Sequence, residues 1–399
     1  METLSRPDWL NENAINLVMQ VIDEGENYSR FVGGCVRNSI LNLPVSDIDI
    51  ATRHRPETVI KLLSKSGIDV RPTGIKHGTV SAFLDGEVFE ITSLRRDLKT
   101  DGRHAEISFT DSWKEDAARR DFTMNAIFMD MNGKIFDPLG GYKDAVDGRV
   151  RFVGNASERI QEDFLRILRF FRFQAYYGRT EIDLEGLQAC KKFAKELGRL
   201  SGERLRNELF KIILSGDASL IMDTMEKNHI LMEVLPCKIR CSEFNQLIDI
   251  EGVKASRIRR LAVLLNMSTV TVVNRLKLSN KMAKRLMFLS ETVLKNQHAP
   301  EEIKKLIYKT GPNTLLDLLT VKTALNPEYH KMREITYSLV DKWAVPKFPI
   351  RGLDILNLGI EAGVVVGNIL TATEAWWICG EFQADKLDCL NWVQNNYCK

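Results

Sequence analysis

The amino-acid sequence predicts an α+β protein: a mixed α/β domain that ends near Val153, followed by an all-helical remainder. Three observations predict this fold class. Short runs rich in β-branched and aromatic residues, typical of strands, recur up to residue 131. From about Ala156 the strand signal nearly vanishes, and apolar residues recur at helical spacing to the end of the chain. Glycines and prolines break this helical part into segments.

Length and composition are those of an ordinary globular protein. The chain has 399 residues, enough for two to four domains that each bury a core, and 44% of its residues are hydrophobic. The N-terminus has no apolar run of the signal-peptide kind, and no stretch is long enough to cross a bilayer. Seven scattered cysteines predict reduced thiols rather than a zinc site. We therefore expect a cytoplasmic protein without a membrane partner, and the sequence leaves its oligomeric state open.

The predicted elements of the first domain alternate in type. Helical spacing of apolar residues predicts helices over residues 9–25 and 56–66. The charged stretch RRDLKTDGRHAE at residues 95–106 is predicted to be a polar loop between strands. The predicted strands are 29–32, 47–51, 70–72, 79–84, 88–94 and 126–131.

The stretch FVGGCVRNSILNLPVSDIDIAT at residues 31–52 places two aspartates after a glycine turn. In a strand over residues 47–50, Asp47 and Asp49 point to the same face because strand side chains alternate. Two neighbouring carboxylates repel each other unless a cation lies between them, and Mg²⁺ prefers such hard oxygen ligands. A solvated strand or a turn would also explain the two aspartates.

The turn before these aspartates has the composition of a phosphate site. Gly33 and Gly34 let a backbone approach phosphate oxygens without a Cβ in the way. A helix that starts just after them would direct its N–H groups at the same anion, and Arg37 would add a charge-assisted contact. Each of these features is weak alone. Together, and in this order, they describe a site for metal-assisted nucleotidyl transfer.

Five segments, in the same order, resemble the class II nucleotidyltransferases, the bacterial tRNA CCA-adding enzymes and their poly(A) polymerase relatives. They are GGCVRN with SDIDIAT, RRDFTMNAIFMD at 119–130, DPLGGYKDAVDGRVRFVG at 137–154, EDFLRILRFFRF at 162–173 and GERLRNELFKIILSG at 202–216. The resemblance covers residues 31–216, about half of the chain. One departure is visible: the family usually has Asp where this chain has Asn38, at a position that supports the loop rather than binding metal.

The resemblance implies a polymerase-β-like nucleotidyltransferase head in which Asp47 and Asp49 hold two Mg²⁺ ions. One ion would activate an RNA 3′-hydroxyl, and the other would hold a nucleoside triphosphate. Glu90, on the predicted neighbouring strand, is the candidate third carboxylate, although a solvated strand glutamate would look the same in the sequence. The residues of the head that the resemblance places on the nucleotide are Gly34, Arg37 and Arg120.

The resemblance also divides the chain into four parts. Residues 1–153 would form the head and residues 154–222 a helical neck that recognises the base. Residues 223–325 would form a helical body that binds RNA, and residues 326–399 a helical tail that contacts tRNA. Neck, body and tail would together be elongated. Similar enzymes have a mobile loop at residues 95–106, used in switching from C to A addition, but an ordinary solvated loop fits as well.

Four polar residues of the neck stand at intervals of three: Asp163, Arg166, Arg169 and Arg172. On a helix they would trace a winding strip about 14 Å long. Cytosine and adenine present an amino donor beside a ring-nitrogen acceptor, whereas uracil and guanine present the reverse. A carboxylate beside a guanidinium complements the first two bases and mismatches the others. The resemblance gives this reading role to Asp163 and Arg166. Arg169 and Arg172 would extend toward the triphosphate; helix-stabilising ion pairs are the alternative.

The helical half contains a long stretch without acidic residues. Between Glu251 and Glu291 there is no Asp or Glu, but there are nine basic residues. Solvated charged faces are normally mixed in sign, so this acid-free window predicts a track for RNA phosphates. It has few aromatic residues, which fits a double-stranded acceptor arm better than single-stranded RNA. The residues predicted to bind RNA are Lys254, Arg257, Arg259, Arg260, Arg275 and Lys277.

These observations predict a member of the family that builds or repairs the 3′-terminal CCA of tRNA with CTP, ATP and Mg²⁺. A poly(A) polymerase, or an enzyme that adds only CC or only A, is the alternative within the family. The alternative from another class is a noncatalytic RNA-binding protein with an inactive head. Asp47, Asp49, Arg37 and Asp163 are all present, and this disfavours an inactive head.

Overall fold

The computed structural model describes residues 2–23, 28–100, 105–252, 254–265 and 269–398. The chain forms two compact units. The first comprises Met1–Ile239 and Val270–Leu278, and the second comprises Arg240–Thr269 and Ser279–Lys399. The predicted head and neck both fall within the first unit. The finer division into four parts stays a prediction.

The strands of the described residues all belong to the first unit. They are β1 Ser29–Val32, β2 Asp49–Thr52, β3 Asp69–Gly74, β4 Thr79–Leu84, β5 Glu87–Ser93, β6 Arg95–Thr100, β7 Ala105–Phe109, β8 Phe128–Met129 and β9 Ile135–Phe136. Seven of them form one sheet in the order β3-β4-β5-β2-β1-β8-β9. Within this sheet β2 and β5 run parallel, and every other neighbouring pair is antiparallel.

The polar loop predicted over residues 95–106 is wrong for most of that stretch. Strands β6 and β7 form a separate antiparallel ribbon, with Arg95 opposite Phe109 and a register shift between Asp97 and Lys99. Strand β6 reads RRDLKT, with a single apolar residue, so it lacks the apolar alternation that reveals a strand. Strand β7 reads AEISF and does alternate, but three of its five residues lie beyond residue 106. Residues 101–104 lie outside the described part of the chain.

A two-residue turn joins β4 to β5. Asp85 and Gly86 have positive φ angles of 52° and 84°, and the flanking Leu84 and Glu87 are paired across the strands. Positive φ at both central positions is the geometry of the tight hairpin turns that match strand twist, and Asp-Gly is a preferred sequence for it. This turn fixes the register of β5, the strand that carries Glu90.

Helices surround the sheet of the first unit and continue beyond it. They are α1 Asn13–Asp23, α2 Gly34–Ile40, α3 Pro56–Lys65, α4 Trp113–Ala118, α5 Gly141–Asp147, α6 Ala156–Glu162, α7 Leu165–Tyr177, α8 Leu184–Phe193, α9 Gly202–Leu214, α10 Ala218–Lys227 and α11 Leu231–Val234. Short 3₁₀ helices in this unit span Asp8–Asn11, Ile75–His77, Thr123–Asn125 and Ala194–Arg199.

Aromatic packing fixes α7 against the head. The ring of Phe122 lies 4.7 Å from that of Phe173, and Phe152 stacks 5.4 Å from Phe170. Such aromatic pairs stabilise a contact beyond the area they bury. Phe170 and Phe171 of α7 are fully buried, as is Phe122 of the head. The polar face of α7 is therefore held at a fixed position beside the head.

The second unit is helical throughout its described residues. Its core surrounds Trp377, whose ring lies 5.6 Å from that of Tyr308 and 5.0 Å from that of Phe382.

No helix in the described ranges is both long and apolar enough to cross a membrane. The helices after α11 are α12 Cys241–Glu251, α13 Arg257–Leu264, α14 Thr269–Arg275, α15 Asn280–Glu291, α16 Pro300–Thr310, α17 Pro312–Leu325, α18 His330–Lys342, α19 Gly352–Leu356, α20 Val364–Cys379 and α21 Lys386–Tyr397; most of α14 belongs to the first unit.

Candidate active site

Asp49 and Glu90 lie at paired positions on neighbouring parallel strands. Strand β2 begins at Asp49, and the register of β2 with β5 places Glu90 opposite it. Side chains at paired positions point to the same face of a sheet, so the two carboxylates stand side by side. Asp47 is exposed and lies before the strand, so the strand predicted over residues 47–50 begins two residues too early.

The electrostatics of Asp49 fit a cation site. Burial raises the pKa of the Asp49 carboxyl, and the negative charges of Glu90 and Asp47 raise it further, while Arg120 opposes them. A divalent cation relieves such repulsion, and carboxylate oxygens are its preferred ligands. Within the described ranges, no three acidic, histidine or cysteine side chains are already gathered into a metal-binding group. The arrangement therefore fits an open site that substrate oxygens complete.

A cleft of about 750 Å³ opens at this edge of the first unit. Eight of the predicted site residues line it: Gly34, Arg37, Asp49, Arg120, Asp163, Arg166, Arg169 and Arg172. Asp47 and Glu90 do not line it. Residues that the sequence analysis did not predict for the site also line it, among them Arg119, Asp121, Asn125, Tyr176, Tyr177, Arg204 and Lys211. Most of these lie inside the family segments, but nothing in their spacing distinguishes them from their neighbours.

The glycine turn joins two sides of the cleft. Gly33 precedes α2 and has a φ of +77°, a conformation that is strained for any other residue. A Cβ at this position would lie 3.7 Å from Nη1 of Arg120 and 3.9 Å from Oδ2 of Asp49. The turn thus brings the backbone close to both a cation and a carboxylate of the site.

Arg37 is a buried cation that is held by neutral groups. Its guanidinium donates to Oδ1 of Asn125 at 2.5 Å, to Oδ1 of Asn38 at 2.9 Å and to the hydroxyl of Tyr177 at 2.7 Å. It also lies over the Tyr177 ring, 4.0 Å from the centroid. Burial lowers the pKa of Arg37. Within the described ranges no carboxylate contacts this guanidinium, so its charge remains for an anion in the cleft.

The other arginines of the cleft all pair with carboxylates. The pairs are Arg119 and Arg120 with Asp116 at 2.8 and 2.9 Å, Arg166 with Glu162 at 2.5 Å, Arg169 with Asp121 at 2.8 Å, Arg172 with Glu208 at 2.9 Å, and Arg204 with Asp163 at 2.7 Å. Burial alone would raise the pKa of Asp121, but Arg169 and a hydrogen bond from Asn125 outweigh burial and lower it. Arg37 therefore differs from every other arginine that lines the cleft.

Asp163 does not belong to the helix on which the sequence analysis placed it. It has an extended backbone (φ −154°) between α6 and α7, and its Oδ1 accepts the backbone N–H of Leu165. The helical strip therefore contains only the three arginines of α7. Asp163 pairs with Arg204, whereas Arg166 donates to Glu162 and to the carbonyl of Arg159. The expected contact between the Asp163 and Arg166 side chains is absent among the described contacts; the two residues share a backbone hydrogen bond, from the Arg166 N–H to the Asp163 carbonyl at 2.9 Å.

The acid-free window has carboxylate partners elsewhere in the second unit. Glu251 accepts from Arg259 at 2.9 Å and from Arg260 at 2.7 Å. Asp317 pairs with Arg259 at 2.6 Å and also with Arg285. Glu251 and Arg260 are buried, and Arg259 is 13% exposed. Arg259 and Arg260 thus hold a carboxylate of the second unit, and their contact with RNA phosphate stays a prediction.

The remaining predicted RNA-binding residues differ in their surroundings. Arg275 donates to the backbone carbonyls of Leu197 and Leu200 at 2.7 and 3.0 Å, so it joins two segments of the first unit. The exposed residues of the set are Lys254, Arg257 and Lys277. Their contact with RNA stays a prediction.

Two family models match this chain. Residues 29–151 match the model described as "Poly A polymerase head domain". Residues 181–238 match the model described as "Probable RNA and SrmB- binding site of polymerase A". Fold and site together define a nucleotidyltransferase with a head of the poly(A) polymerase type.

Similarity over nearly the whole chain is more specific. The mouse protein "CCA tRNA nucleotidyltransferase 1, mitochondrial" is 35% identical over 391 residues, covering 92% of this chain and 87% of that protein. The human protein of the same name is 34% identical with the same coverage. The Bacillus stearothermophilus CCA-adding enzyme, solved with CTP, has a TM-score of 0.75 and 26% identity and covers 96% of both chains. The chain belongs to the family of CCA tRNA nucleotidyltransferases.

Proposed function

We propose that this chain adds the 3′-terminal CCA to tRNA, without a nucleic-acid template, from CTP and ATP. One observation carries the proposal. A single cleft contains Arg37, a buried cation that contacts no carboxylate among the described residues, and Asp49, a carboxylate that its neighbours repel. The first suits the phosphates of a nucleotide and the second suits a metal ion. Membership in the family supports this reading.

The reaction is the transfer of a nucleotidyl group. The 3′-oxygen of the RNA attacks the α-phosphorus, the bond from that phosphorus to the bridging oxygen of the β-phosphate breaks, and pyrophosphate leaves. The hydroxyl proton passes to solvent. Because negative charge collects on the phosphates, the protein accelerates the step mainly by positioning and by placed cations. Arg37 supplies one such cation at a fixed position, since four hydrogen bonds hold its guanidinium.

The strand carboxylates are the residues that would hold the metal, for which we propose Mg²⁺. Asp49 and Glu90 are brought together by strand pairing, and Asp47 is close enough to raise the pKa of Asp49. When bound there, a divalent ion supplies charge neutralisation for the triphosphate and lowers the pKa of the attacking hydroxyl. The protein's own contribution is to hold the carboxylates in place and to leave the site open to substrate.

For base choice we propose Asp163 as the acceptor for the amino group of cytosine or adenine. The side chain lines the cleft and is 24% exposed, so a base can reach it. Uracil and guanine present a carbonyl oxygen at the corresponding position, and two acceptors repel. Arg169 and Arg172 continue along the same face of α7 and also line the cleft.

One experiment tests this function and its alternatives. The protein is incubated with tRNA lacking CCA and with CTP, ATP or both, and the 3′ ends are sequenced. We expect two C residues followed by one A, and then an end to addition. A long A tail would indicate a poly(A) polymerase, and CC alone or A alone would indicate a partial activity. No addition under any condition would contradict the proposal.

A further inference from the structure

The carboxylate of Asp163 has most of its hydrogen-bonding capacity occupied. Its Oδ1 accepts the Leu165 N–H at 3.1 Å and Nη2 of Arg204 at 2.9 Å. Its Oδ2 accepts the same Nη2 at 2.7 Å. A carboxylate offers about four acceptor sites, so about one remains, and it lies on Oδ2. In the described part of the chain no further donor contacts this carboxylate.

We propose that Arg204 is a specificity-determining residue, because it occupies the edge of Asp163 that guanine would otherwise use. This inference rests on the proposed function of the cleft. Arg204 comes from α9, whereas Asp163 lies between α6 and α7, so the contact joins two separate segments of the site. Both residues line the cleft. Arg204 thus limits Asp163 to a single accepted hydrogen bond from a base.

The restriction at Asp163 affects the four bases differently, because their hydrogen-bonding edges differ. Guanine presents two adjacent donors, the ring N1–H and the N2 amino group, and an unrestrained carboxylate accepts both, one on each oxygen. Cytosine and adenine present one amino group and need only one acceptor site. Uracil presents a single N–H between two carbonyl oxygens, so the second carboxylate oxygen meets an acceptor. Blocking one edge of Asp163 therefore excludes guanine in particular.

The guanidinium of Arg166 does not occupy the edge of Asp163 that Arg204 occupies. Its Nη1 donates to Glu162 and to the Arg159 carbonyl, and its Nη2 donates to the carbonyl of Arg119 at 3.2 Å. These contacts hold the guanidinium away from hydrogen-bond distance of Asp163. The partner of the base-reading carboxylate is therefore Arg204, which stands 41 residues further along the chain, within GERLRNELFKIILSG.

The test compares Arg204→Gln with the unmodified protein in single-turnover addition of each of the four nucleotides to tRNA lacking CCA. We expect the ratio of GTP to CTP addition to rise about tenfold or more, which is the size of one recovered charge-assisted hydrogen bond. The ratio of UTP to CTP should change much less. Equilibrium binding of GTP and CTP to the free protein, without RNA, gives a readout that does not depend on catalysis and should shift the same way.

Two further variants make the result decisive. Arg204→Lys keeps a cation beside Asp163 and should retain most of the discrimination. Arg199→Gln removes an exposed arginine that pairs with Glu196 outside the cleft, and it should leave the ratio unchanged. Equal losses for all four nucleotides in Arg204→Gln would mean that the Asp163–Arg204 pair is only structural, and this would overturn the inference. Failure of the unmodified protein to add C or A would instead contradict the proposed function.

Discussion

The cleft of the first unit and the part of the acid-free window that lies in the second unit both contain paired arginines, but the pairs differ in access. In the cleft, the side chain of Arg169 is 32% exposed although it contacts the buried carboxylate of Asp121. In the window, Arg260 is 8% exposed and its partner Glu251 is fully buried. Arg169 lines the cleft, whereas both members of the Arg260–Glu251 pair are buried. Access to a cavity, rather than the presence of a partner, separates arginines that can bind a substrate from arginines that hold helices together.

The comparison also shows what a charge count over a sequence window omits. Glu251 stands at the edge of the acid-free window, and Asp317 lies 32 residues beyond Arg285. Both carboxylates nevertheless pair with arginines of the window, Glu251 with Arg260 and Asp317 with Arg285. Conversely, Arg37 stands in a region of mixed charge but has no carboxylate in contact among the described residues. The predictions below test whether the cleft and the window differ in function as they differ in access.

The largest effect is expected at the carboxylate of the cleft. Asp49→Ala removes a proposed metal ligand, so nucleotide addition should fall about a thousandfold or more, while the fold and the affinity for tRNA remain. Single-turnover addition of CMP measures the change, and Asp47→Ala should act in the same direction. The matched control is Asp69→Ala, an exposed head residue that pairs with Arg71. Near-normal turnover by Asp49→Ala would mean that Asp49 takes no part in the reaction.

In the window, the expected loss is one of stability. Glu251→Gln leaves the buried Arg260 without its carboxylate, and unfolding of the second unit should become easier by about 3–5 kcal/mol. Urea denaturation followed by tryptophan fluorescence measures this, since four tryptophans lie in that unit: Trp343, Trp376, Trp377 and Trp392. Glu302→Gln, which breaks a surface pair with Lys305, is the control and should change little. A fully stable Glu251→Gln protein with weakened tRNA binding would reverse our assignment of the window.

The charge of Arg37 provides a test of whether the cleft binds phosphate. Arg37→Gln should weaken the binding of CTP and ATP about 10- to 100-fold, the range of one charge-assisted hydrogen bond to phosphate. Binding of the nucleoside cytidine, which has no phosphate, should hardly change. Calorimetry with both ligands separates the two effects, and Arg71→Gln, at an exposed position of the head, serves as the control. Equal losses for CTP and cytidine would mean that Arg37 shapes the cleft without binding phosphate.

The exposed lysines give a smaller effect. Replacing Lys254 and Lys277 by Gln should lower tRNA affinity several-fold and make its salt dependence shallower by about one unit of slope per lysine. Lys61→Gln, on the exposed side of α3, is the matched control. An unchanged salt slope would mean that these lysines do not contact RNA phosphate and that any contact lies in other parts of the chain, such as residues 181–238.

The smallest effect concerns stability in the absence of metal. Folding raises the pKa of Asp49 above its unfolded value of about 3.9, so this residue stabilises the fold only while it is protonated. That contribution is full below the unfolded pKa and is lost as the pH rises through the folded pKa. In a chelator at neutral pH, Asp49→Asn should therefore raise the melting temperature by a few degrees at most. The two proteins should converge as the pH falls below 4. A lower melting temperature for Asp49→Asn at neutral pH would contradict this sign.

Strands that bury one face were predictable from the sequence. Strands β1 and β4 have the predicted bounds, 29–32 and 79–84, because their apolar residues alternate or cluster between clear turn signals. Strand β6, with the sequence RRDLKT, carried no such signal. Asp163 was misplaced for a related reason, since the spacing of three continues across a helix boundary that only the backbone conformation reveals.

The site was predictable as a set of residues but not as a set of contacts. Motif order brought Arg37, Asp49 and Arg166 into one predicted site, and all three line the cleft. The partner of Asp163 could not be predicted in this way, because Arg204 stands 41 residues further along the chain. Helix packing decides which guanidinium reaches which carboxylate, and sequence spacing does not record it.

The tight turn at Asp85 and Gly86 makes the site sensitive to chain length. Glu90 lies beside Asp49 in the register of β2 with β5, and the two-residue loop fixes the register of β5 with β4. A one-residue shift of a strand turns each of its side chains to the opposite face. An insertion in this turn that shifted β5 by one residue would direct Glu90 to the opposite face of the sheet while leaving every residue of the site in the sequence. Among related chains, the length of this hairpin therefore carries information about activity that an inventory of functional residues would miss.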